Sequence, residues 1–556
     1  MQVEVVIGPG IPSFSIVGMP DVAIQESRER VKAAIRASGF RFPADKIVVN
    51  LAPGSLRKHG SGFDLPIALC ILCATDQVPR RVLDGCVCMG ELSLDGSVTS
   101  VQGLLPVQLK AKSLGRHVLT GSLAERYVPV PGVACWSLRR LEDAAAGLGD
   151  ASPLASSGLA AAGGEASFGV GGATCDDLDS GSPHATSMPD FAQVHGQEAA
   201  KRALQVAAVG RHDVLMVGPP GSGKTFLASC LPGILPPLNE AAAMESAAVH
   251  SVAGVDVDGI LQGRRPFRAP HHSATQAGLI GGGSPVRPGE ASLAHNGVLF
   301  LDELSEFQPR VLQTLRQPLE SGKVRITRVD GTYELPTDFL LVAATNPCPC
   351  GHYGDRRKPC RCSPSQVHAY QNRIGGPLYD RIDIRIDVQR PDPAKLMGVK
   401  VPGGPAQRCP ASTVELASGV RRAIEFRKGR LAGSAAGLGI AGNGKRVARA
   451  SEPKASAAKD GLGNASMEAA SRILTAAPGH VDGSQSFGDA LFACGLDKPA
   501  SEFFLALMQQ HAMSARSGMK TLRLARTVAD LELSEHVHEG HLAQACSMRF
   551  ANGMEG

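Results

Sequence analysis

Aromatic residues make up only 4% of this 556-residue chain, with a single tryptophan, which argues against base stacking as a main mode of nucleic-acid contact. Long apolar runs are missing too. No stretch approaches the roughly 18 residues a membrane helix needs, and the longest, Leu65 to Ala74, follows Asp64 and contains Pro66. Nor does a basic region precede an apolar run at the N-terminus, so the expectation is a cytoplasmic protein with no signal peptide and no membrane partner. Charge of one sign is in equally short supply. With 57 Lys and Arg against 52 Asp and Glu the formal balance is +5, so any contact with nucleic acid must come from local patches. The 14 cysteines are spread through a large chain, unlike the dense framework of a small secreted domain, and most read as reduced, buried small hydrophobes.

What remains is ordinary globular composition, 43% hydrophobic and 20% charged, on a chain long enough for several domains. Residues 1–145 alternate short apolar runs with amphipathic segments and read as a compact α/β unit. Within it Asp21 caps a predicted helix through Ser38, with Glu26 and Arg30 paired at i, i+4 and Gly39 as the stop. Residues 146–188 turn to Gly, Ala and Ser, the composition of a flexible linker. From 189 to 395 β-rich apolar runs alternate with helical stretches, the order of a parallel-sheet nucleotide-binding domain. Residues 396–430 begin a further helical part, 431–486 return to Gly, Ala and Ser and read as a disordered insertion, and 487–556 carry helical spacing.

The run Gly218, Pro219, Pro220, Gly221, Ser222, Gly223, Lys224, Thr225 fits the phosphate-loop template G-x-x-x-x-G-K-[ST]. It sits where that template must sit. Val214–Val217 reads as a short buried strand and the residues from Thr225 on as the first turns of a helix, so the loop joins a strand end to a helix start. Glycines let successive backbone N–H groups surround phosphate oxygens, while the helix N-terminus adds favourable potential. Lys224 would reach the β- and γ-phosphates of ATP, and Thr225 would ligate Mg²⁺. The competing reading, an ordinary Gly-rich turn before a helix, explains none of the flanking pattern.

Hydrolysis also needs acids at the end of a buried strand, and Val298–Leu301 leads directly into Asp302 and Glu303. Asp302 is the expected second Mg²⁺ partner and Glu303 the expected catalytic base. Two solvated acids after a strand are the bland alternative. The apolar run from Phe339 ends at Asn346, a polar tip suited to hold the attacking water and sense the γ-phosphate. Just beyond it Cys348, Cys350, Cys360 and Cys362 form C-x-C, nine residues, C-x-C. Four thiolates this close can close around tetrahedral Zn²⁺, with a redox pair or four unligated thiols as the rival readings. Cys70, Cys73, Cys86 and Cys88 imitate such a site but fall on apolar runs, where core packing is the simpler reading.

Several longer stretches carry a family resemblance. They are GMPDVAIQESRERVKAAIRASGF from Gly18, NLAPGSLRKHGSGFDLPIAL from Asn50, FRAPHHS from Phe267, GGGSPVRPGEASLAHNGVLFLDEL from Gly281, ATNPCPCG from Ala344 and LARTVADL from Leu524. On these the chain resembles the ComM/YifB-type, magnesium-chelatase-like AAA+ ATPases, over most of its length outside the two low-complexity segments. The fold class implied is α/β: an N-terminal Lon-protease-like (ribosomal S5 domain 2-like) α+β domain, an AAA+ P-loop parallel-sheet domain, and a small C-terminal helical lid in 396–430 and 487–556. A homo-oligomeric ring, a hexamer, is implied, with nucleotide at subunit interfaces. Arg381 then becomes a finger offered to the neighbour's nucleotide and Arg516 the sensor arginine of the lid, with Arg523 as the fallback. Read alone, Arg381 serves equally as a surface salt-bridge residue.

The span from Thr225 to Asp302 leaves room for the helix-2 insertion of the chelatase and helicase branches, and it contains Arg264, Arg265, Arg268, His271, His272 and Arg287. Such an insertion and a hairpin predicted over Val324–Leu335 would face the pore, where Lys323, Arg325 and Arg328 could follow phosphates. Solvated charges are the alternative. Residues 50 to 120 resemble the proteolytic domain of Lon-type proteases, which uses a Ser–Lys dyad, but Gly62 falls at the nucleophile position and Leu105 at the lysine position. Ser61 and Lys58 are displaced, so the domain reads as a noncatalytic scaffold. Against the family pattern the chain opens without the first strand and turn, and the 431–486 stretch stands where ordered lid helices are expected. The resemblance implies an ATP-hydrolysing DNA motor acting on branched or single-stranded DNA in recombination. A chelatase-like motor that remodels a protein partner is the rival, and an ATP-dependent protease a third reading.

Overall fold

A computed structural model describes residues 1–146, 189–390, 411–436 and 494–550, apart from residues 55, 123–126, 329–330, 356 and 375. The expected linker beyond residue 146, the residues 396–410 and 487–493, and residues 437–486 of the expected insertion lie outside the described residues.

In the N-terminal part the central strand Lys46–Ala52 pairs antiparallel with Gln2–Gly8 and parallel with Ser13–Val17. The helix Val22–Ala37 starts as expected: Asp21 accepts from the Ile24 amide at 2.9 Å, Glu26 pairs with Arg30 at 3.8 Å, and Gly39 takes a φ of +80° beyond the Ser38 cap. A second helix, Asp64–Ala74, is apolar nearly all round and is buried between that helix and the sheet. Asp64 joins them: fully buried, it accepts from Ser27 Oγ, from Arg30 Nε at 2.7 Å and from the Leu92 amide at 3.4 Å. Cys70 and Cys73 lie on this helix and Cys86 and Cys88 on a short strand, where burial raises the pKa of all four thiols. Cys73, Cys86 and Cys88 pack with the core there, and the half-buried Cys70 reaches the Val3 carbonyl at 4.0 Å.

The central sheet has five parallel strands in the order Phe267–Arg268, Val298–Leu301, Leu340–Thr345, Val214–Val217, Ile384–Asp387. Both faces are covered, which is why its strands read as continuous apolar runs. Val214, Met216, Phe300 and Val342 face one core; Leu215, Leu299, Leu301 and Leu341 face the other. The first core also takes in Leu522, Ala525 and Val528 from the long helix Ala515–Leu531 and Val420 and Ala423 from the helix Thr413–Ala436. This last helix runs six residues past the expected boundary at residue 430; before that boundary Arg430 is ion-paired to the buried Asp530 at 3.3 Å and Arg427 donates to the Val209 carbonyl. A smaller core joins Leu105 and Ala111 of the N-terminal helix Leu104–Ser113 to Ala243 and Ala247 of the helix Glu240–Ala253, which lies in the Thr225–Asp302 span. No described helix is long and apolar enough to cross a membrane.

Replacing Asp64 by Ala would remove the buried carboxylate that the Arg30 guanidinium and Ser27 share, leaving them the Ala23 carbonyl and, for Arg30, Glu26. The expected loss is about 2–3 kcal/mol, below that of a wholly sealed pair because Arg30 keeps some solvent. Chemical denaturation followed by circular dichroism checks this, and a change under about 0.5 kcal/mol, the range of ordinary surface substitutions, would deny Asp64 its role.

Candidate nucleotide site and its flanking clusters

The phosphate loop leaves the buried strand Val214–Val217 and enters the helix Lys224–Cys230. Gly221 and Gly223 adopt φ of +76° and +88°, left-handed values that a side chain would strain, and a Cβ at Gly218 would run into the Val388 carbonyl. Lys224 is buried, which lowers its pKa, and its ammonium donates to the Gly218 carbonyl at 2.7 Å, the Pro219 carbonyl at 3.1 Å and Asn346 Oδ1 at 3.3 Å. Those neutral acceptors hold the cation over the loop without cancelling its charge. Thr225 Oγ1 donates to Asp302 Oδ2 at 2.7 Å. Hydroxyl and carboxylate oxygens converging at the mouth of the loop suit a hard cation such as Mg²⁺.

Parallel register does the rest. Val298–Leu301 pairs with Leu340–Ala343, and Val342–Thr345 with Val214–Val217, so residues 302–303, 346 and 218–225 all emerge at the same edge of the sheet. The structure thus brings together Lys224, Thr225, Asp302, Glu303 and Asn346 as expected from sequence. Glu303 sits at a φ of +51°, its amide donating to Asp302 Oδ1 at 2.9 Å, and its carboxylate lies 3.4 Å from His272 Nδ1. His272 in turn lies against His271, ring centroids 4.0 Å apart. Sequence reasoning assigned that histidine pair to the insertion and missed its position beside Glu303. It also missed Gln197, whose amide donates to the Ser222 carbonyl at 3.1 Å and the Gln389 carbonyl at 2.5 Å and so braces the loop from behind. Gln197 is 192 residues from Gln389, so no local pattern could have shown the pairing.

Arg381 and Arg516 do not join this cluster. Arg381 precedes the strand Ile384–Asp387, whose first residue is level with Val214, so it lies at the opposite edge of the sheet. Four strand residues separate the two edges by about 13 Å. Arg381 is nearly buried, paired to Glu320, and its pKa is lowered by burial and by the neighbouring Arg516 and Arg316. Arg516, exposed in the first turn of the helix Ala515–Leu531, therefore accompanies Arg381 and not the chain's own phosphate loop. The fallback Arg523 is mostly buried near Asp383 and Cys494, which leaves Arg516 as the exposed arginine of the two.

A buried polar network holds that far edge. Lys520 Nζ donates to the carbonyls of Asp380 and Arg381 at 2.8 and 2.7 Å and pairs with Asp383 at 2.8 Å. His212 bridges Asp383 at 3.1 Å and Thr527 at 2.9 Å. Burial opposes ionisation of Asp383, but Lys520 and His212 hold its pKa well below the usual carboxylate range. Burial and the Asp383 charge together push Asp213 up to about 8. The helix that carries Arg516 thus grips the peptide that carries Arg381.

The basic residues of the insertion divide. Arg265 is tied to the carbonyls of Pro236 and Asn296, with burial lowering its pKa to about 10, and Arg268 forms a two-pronged pair with Glu290 at 2.6 and 2.8 Å. Both are tied to acceptors within the protein, contrary to the expectation of an insertion whose basic residues face the pore. The predicted hairpin is present as Lys323–Arg328 paired antiparallel with Gly331–Pro336, but Lys323 and Arg325 both reach Glu334, at 2.7 and 3.3 Å. Arg264, Arg287 and Arg328 stay exposed. In the N-terminal part Lys58 Nζ is buried on the carbonyls of Gly18 and Pro53, while Ser61 Oγ donates to Glu91 at 2.8 Å. They form no dyad.

Beside the phosphate loop the sulfurs of Cys348, Cys350, Cys360 and Cys362 all lie within 4.8 Å of one another, the one such cluster among the described residues. Backbone amides of Arg361 and His352 bring the Cys350 thiol down to about 6.

Comparison with known proteins matches the family "Subunit ChlI of Mg-chelatase" at residues 3–121, "Magnesium chelatase, subunit ChlI" at 190–396 and "Magnesium chelatase, subunit ChlI C-terminal" at 445–549. The last of these takes in residues that composition alone assigned to an insertion. The chain is 35% identical to the uncharacterized protein YifB of Salmonella typhimurium, over 99% of its own length and 94% of the relative. It is 34% identical, with the same coverage, to the competence protein ComM of Haemophilus influenzae. A shorter likeness, 29% over 30% of each chain, links it to the magnesium-chelatase 67 kDa subunit of Heliobacterium mobile.

Replacing Lys224 by Met removes the cation that three neutral acceptors hold in place. Titration with a fluorescent ATP analogue should show binding weakened by about 2–5 kcal/mol, the usual range for truncating one partner of a desolvated charge pair. Affinity within a factor of about two, under 0.5 kcal/mol, would place the phosphates elsewhere.

Proposed function

The chain belongs to the ComM/YifB, magnesium-chelatase-like family of AAA+ ATPases, and from that membership we propose a cytoplasmic, homohexameric ring motor that hydrolyses ATP to move branched or single-stranded DNA in recombination or natural transformation. The observation that carries the proposal is the division of the polar residues between two edges of one sheet. Lys224, Thr225, Asp302, Glu303 and Asn346 form a hydrolytic half-site, while Arg381 and Arg516 lie at the other edge. A subunit so built can use its own arginines only on a neighbour's nucleotide, which a ring provides.

Mg²⁺, held by Thr225 and Asp302, would neutralise phosphate charge when bound. Glu303 takes the proton of the attacking water, Asn346 orients that water, and Lys224 holds the phosphate chain. Arg381 and Arg516 of the adjacent subunit stabilise the charge that develops as the γ-phosphoryl departs. The Glu320 carboxylate now on Arg381 would exchange for phosphate in the ring. The C-terminal helices act as the lid and the N-terminal part as a Lon-like scaffold without proteolytic chemistry, consistent with the separate partners of Ser61 and Lys58.

DNA as the substrate rests on the ComM likeness and on the exposed Arg264, Arg287 and Arg328, of which Arg328, on the hairpin, lies beside Gly282 of the loop that carries Arg287. Contacts of this kind are sequence-independent and weaken with salt.

The test is ATP turnover by the full chain with and without forked DNA at low salt, alongside movement of a branched junction. Turnover should rise with DNA and the junction should move, and Glu303→Gln should lower turnover about 10²- to 10⁴-fold while ATP still binds. No stimulation and no junction movement would contradict a DNA motor; stimulation by a chelatase partner in its place would identify a protein-remodelling subunit.

A further inference from the structure

We propose that Cys348, Cys350, Cys360 and Cys362 bind one Zn²⁺ as a tetrathiolate clasp, and that this clasp positions Asn346 over the phosphate loop. Four sulfurs at the corners of a tetrahedron with Zn–S bonds of about 2.3 Å stand about 3.8 Å apart. Here Cys348 is 3.4 Å from Cys350 and 3.7 Å from Cys360, Cys350 is 3.6 Å from Cys360, and all four sulfurs fall within 4.8 Å. A disulfide requires about 2.05 Å. The cluster therefore has the spacing of sulfurs that share one ion.

The surroundings agree with that reading. An all-sulfur donor set is soft and selects Zn²⁺ over the Mg²⁺ suited to the oxygens of Thr225 and Asp302. The Tyr353 amide donates to Cys348 Sγ at 3.3 Å and the Cys362 amide to Cys360 Sγ at 3.4 Å, the outer contacts that orient thiolate ligands. Zinc bound by four thiolates carries net negative charge; the segment between the two C-x-C pairs contributes Arg357 and Lys358 of opposite sign against the one acid Asp355, and the second pair encloses Arg361. Binding would release the thiol protons to solvent.

Position gives the clasp its role. Cys348 follows Asn346 by two residues at the end of the buried strand Leu340–Thr345, and Asn346 is the residue in contact with Lys224. From the same segment Gly351, at a φ of +77°, lies so close to Pro220 of the phosphate loop that a Cβ would come within 2.6 Å of Pro220 Cδ. After Cys362 the chain enters the helix Pro364–Gln371 through a Ser363 cap, and Gln371 donates back to the Pro347 carbonyl at 3.2 Å. An ion at the four sulfurs thus ties the tip of the sensor strand to the start of this helix and seats both against the phosphate loop. The cysteines would act through Asn346 and the segment at Pro220; they are positioning residues.

The experiment begins with metal content. The purified full chain should hold one Zn²⁺, released by an organomercurial and read with a chromogenic chelator, and Co²⁺ put back in its place should show thiolate-to-cobalt charge-transfer and tetrahedral ligand-field absorption. Cys348→Ser/Cys360→Ser should lose the metal, and Cys86→Ala should keep it. This part stands apart from the motor reading. The positioning role rests on that reading, and reversible stripping of the wild-type protein tests it without a folding variant. Stripping should lower kcat for ATP up to about 100-fold, the effect of misplacing a reacting group by about 1 Å, with KM little changed and kcat restored by Zn²⁺. Asn346→Ala should cost little more in stripped protein, because both changes remove the same contact. Substoichiometric zinc, equal in wild type and double variant, would overturn the site. Stoichiometric zinc whose removal leaves kcat unchanged, or whose effect adds fully to that of Asn346→Ala, would overturn the clasp.

Discussion

Parallel hydrogen bonding between four short strands is the constraint on which everything else depends. Once Val298–Leu301, Leu340–Thr345, Val214–Val217 and Ile384–Asp387 run the same way in fixed register, their carboxyl ends must open at one edge and their amino ends at the other. A one-residue slip would send Leu215, Leu299 and Leu341 into the wrong core, so burial on both faces locks the register. The chemistry follows from that geometry. Phosphate loop, acidic pair and Asn346 share the carboxyl edge, and no rotamer of Arg381 brings it there from the amino edge.

The amino edge is organised with equal care, but by buried charge. Lys520, Asp383, His212, Thr527 and Asp213 are packed where an unpaired ion would be strongly destabilising, and each is satisfied by another, by a carbonyl or, for Asp213, by the Leu341 amide. Their arrangement links the helix Ala515–Leu531 to the segment carrying Arg381, so movement of the C-terminal helices would carry both arginines together.

Much of this was legible in the sequence where function is written in contiguous residues. The run from Gly218 to Thr225, the acids after Val298–Leu301 and the tip at Asn346 each follow a strand that its apolar pattern identifies, and the Asp21 cap is a local signal that the fold repeats. What local pattern cannot hold is the identity of a distant partner. Arg265 and Arg268 were expected to face a pore because their acceptors, Asn296 and Glu290, come from later turns; Lys323 and Arg325 read as able to follow phosphates because Glu334 belongs to the opposite strand of the hairpin. The same limit hid Lys520, His272 and Gln197. Composition misled at residue 430, where Gly and Ala read as the end of order although the helix continues to Ala436.

The central claim is that one hydrolytic site is divided between two subunits. Mixing measures it directly: Glu303→Gln lacks the base but keeps its arginines, and Arg381→Ala keeps the base but lacks the finger. Each should be inactive in ATP turnover alone, and unfolding and reassembly of the two together should restore activity at the mixed interfaces, rising to a maximum near equal proportions. An Arg381→Ala protein that turns over ATP at the wild-type rate alone, or mixtures that stay inactive at every ratio although the subunits co-assemble, would contradict the account.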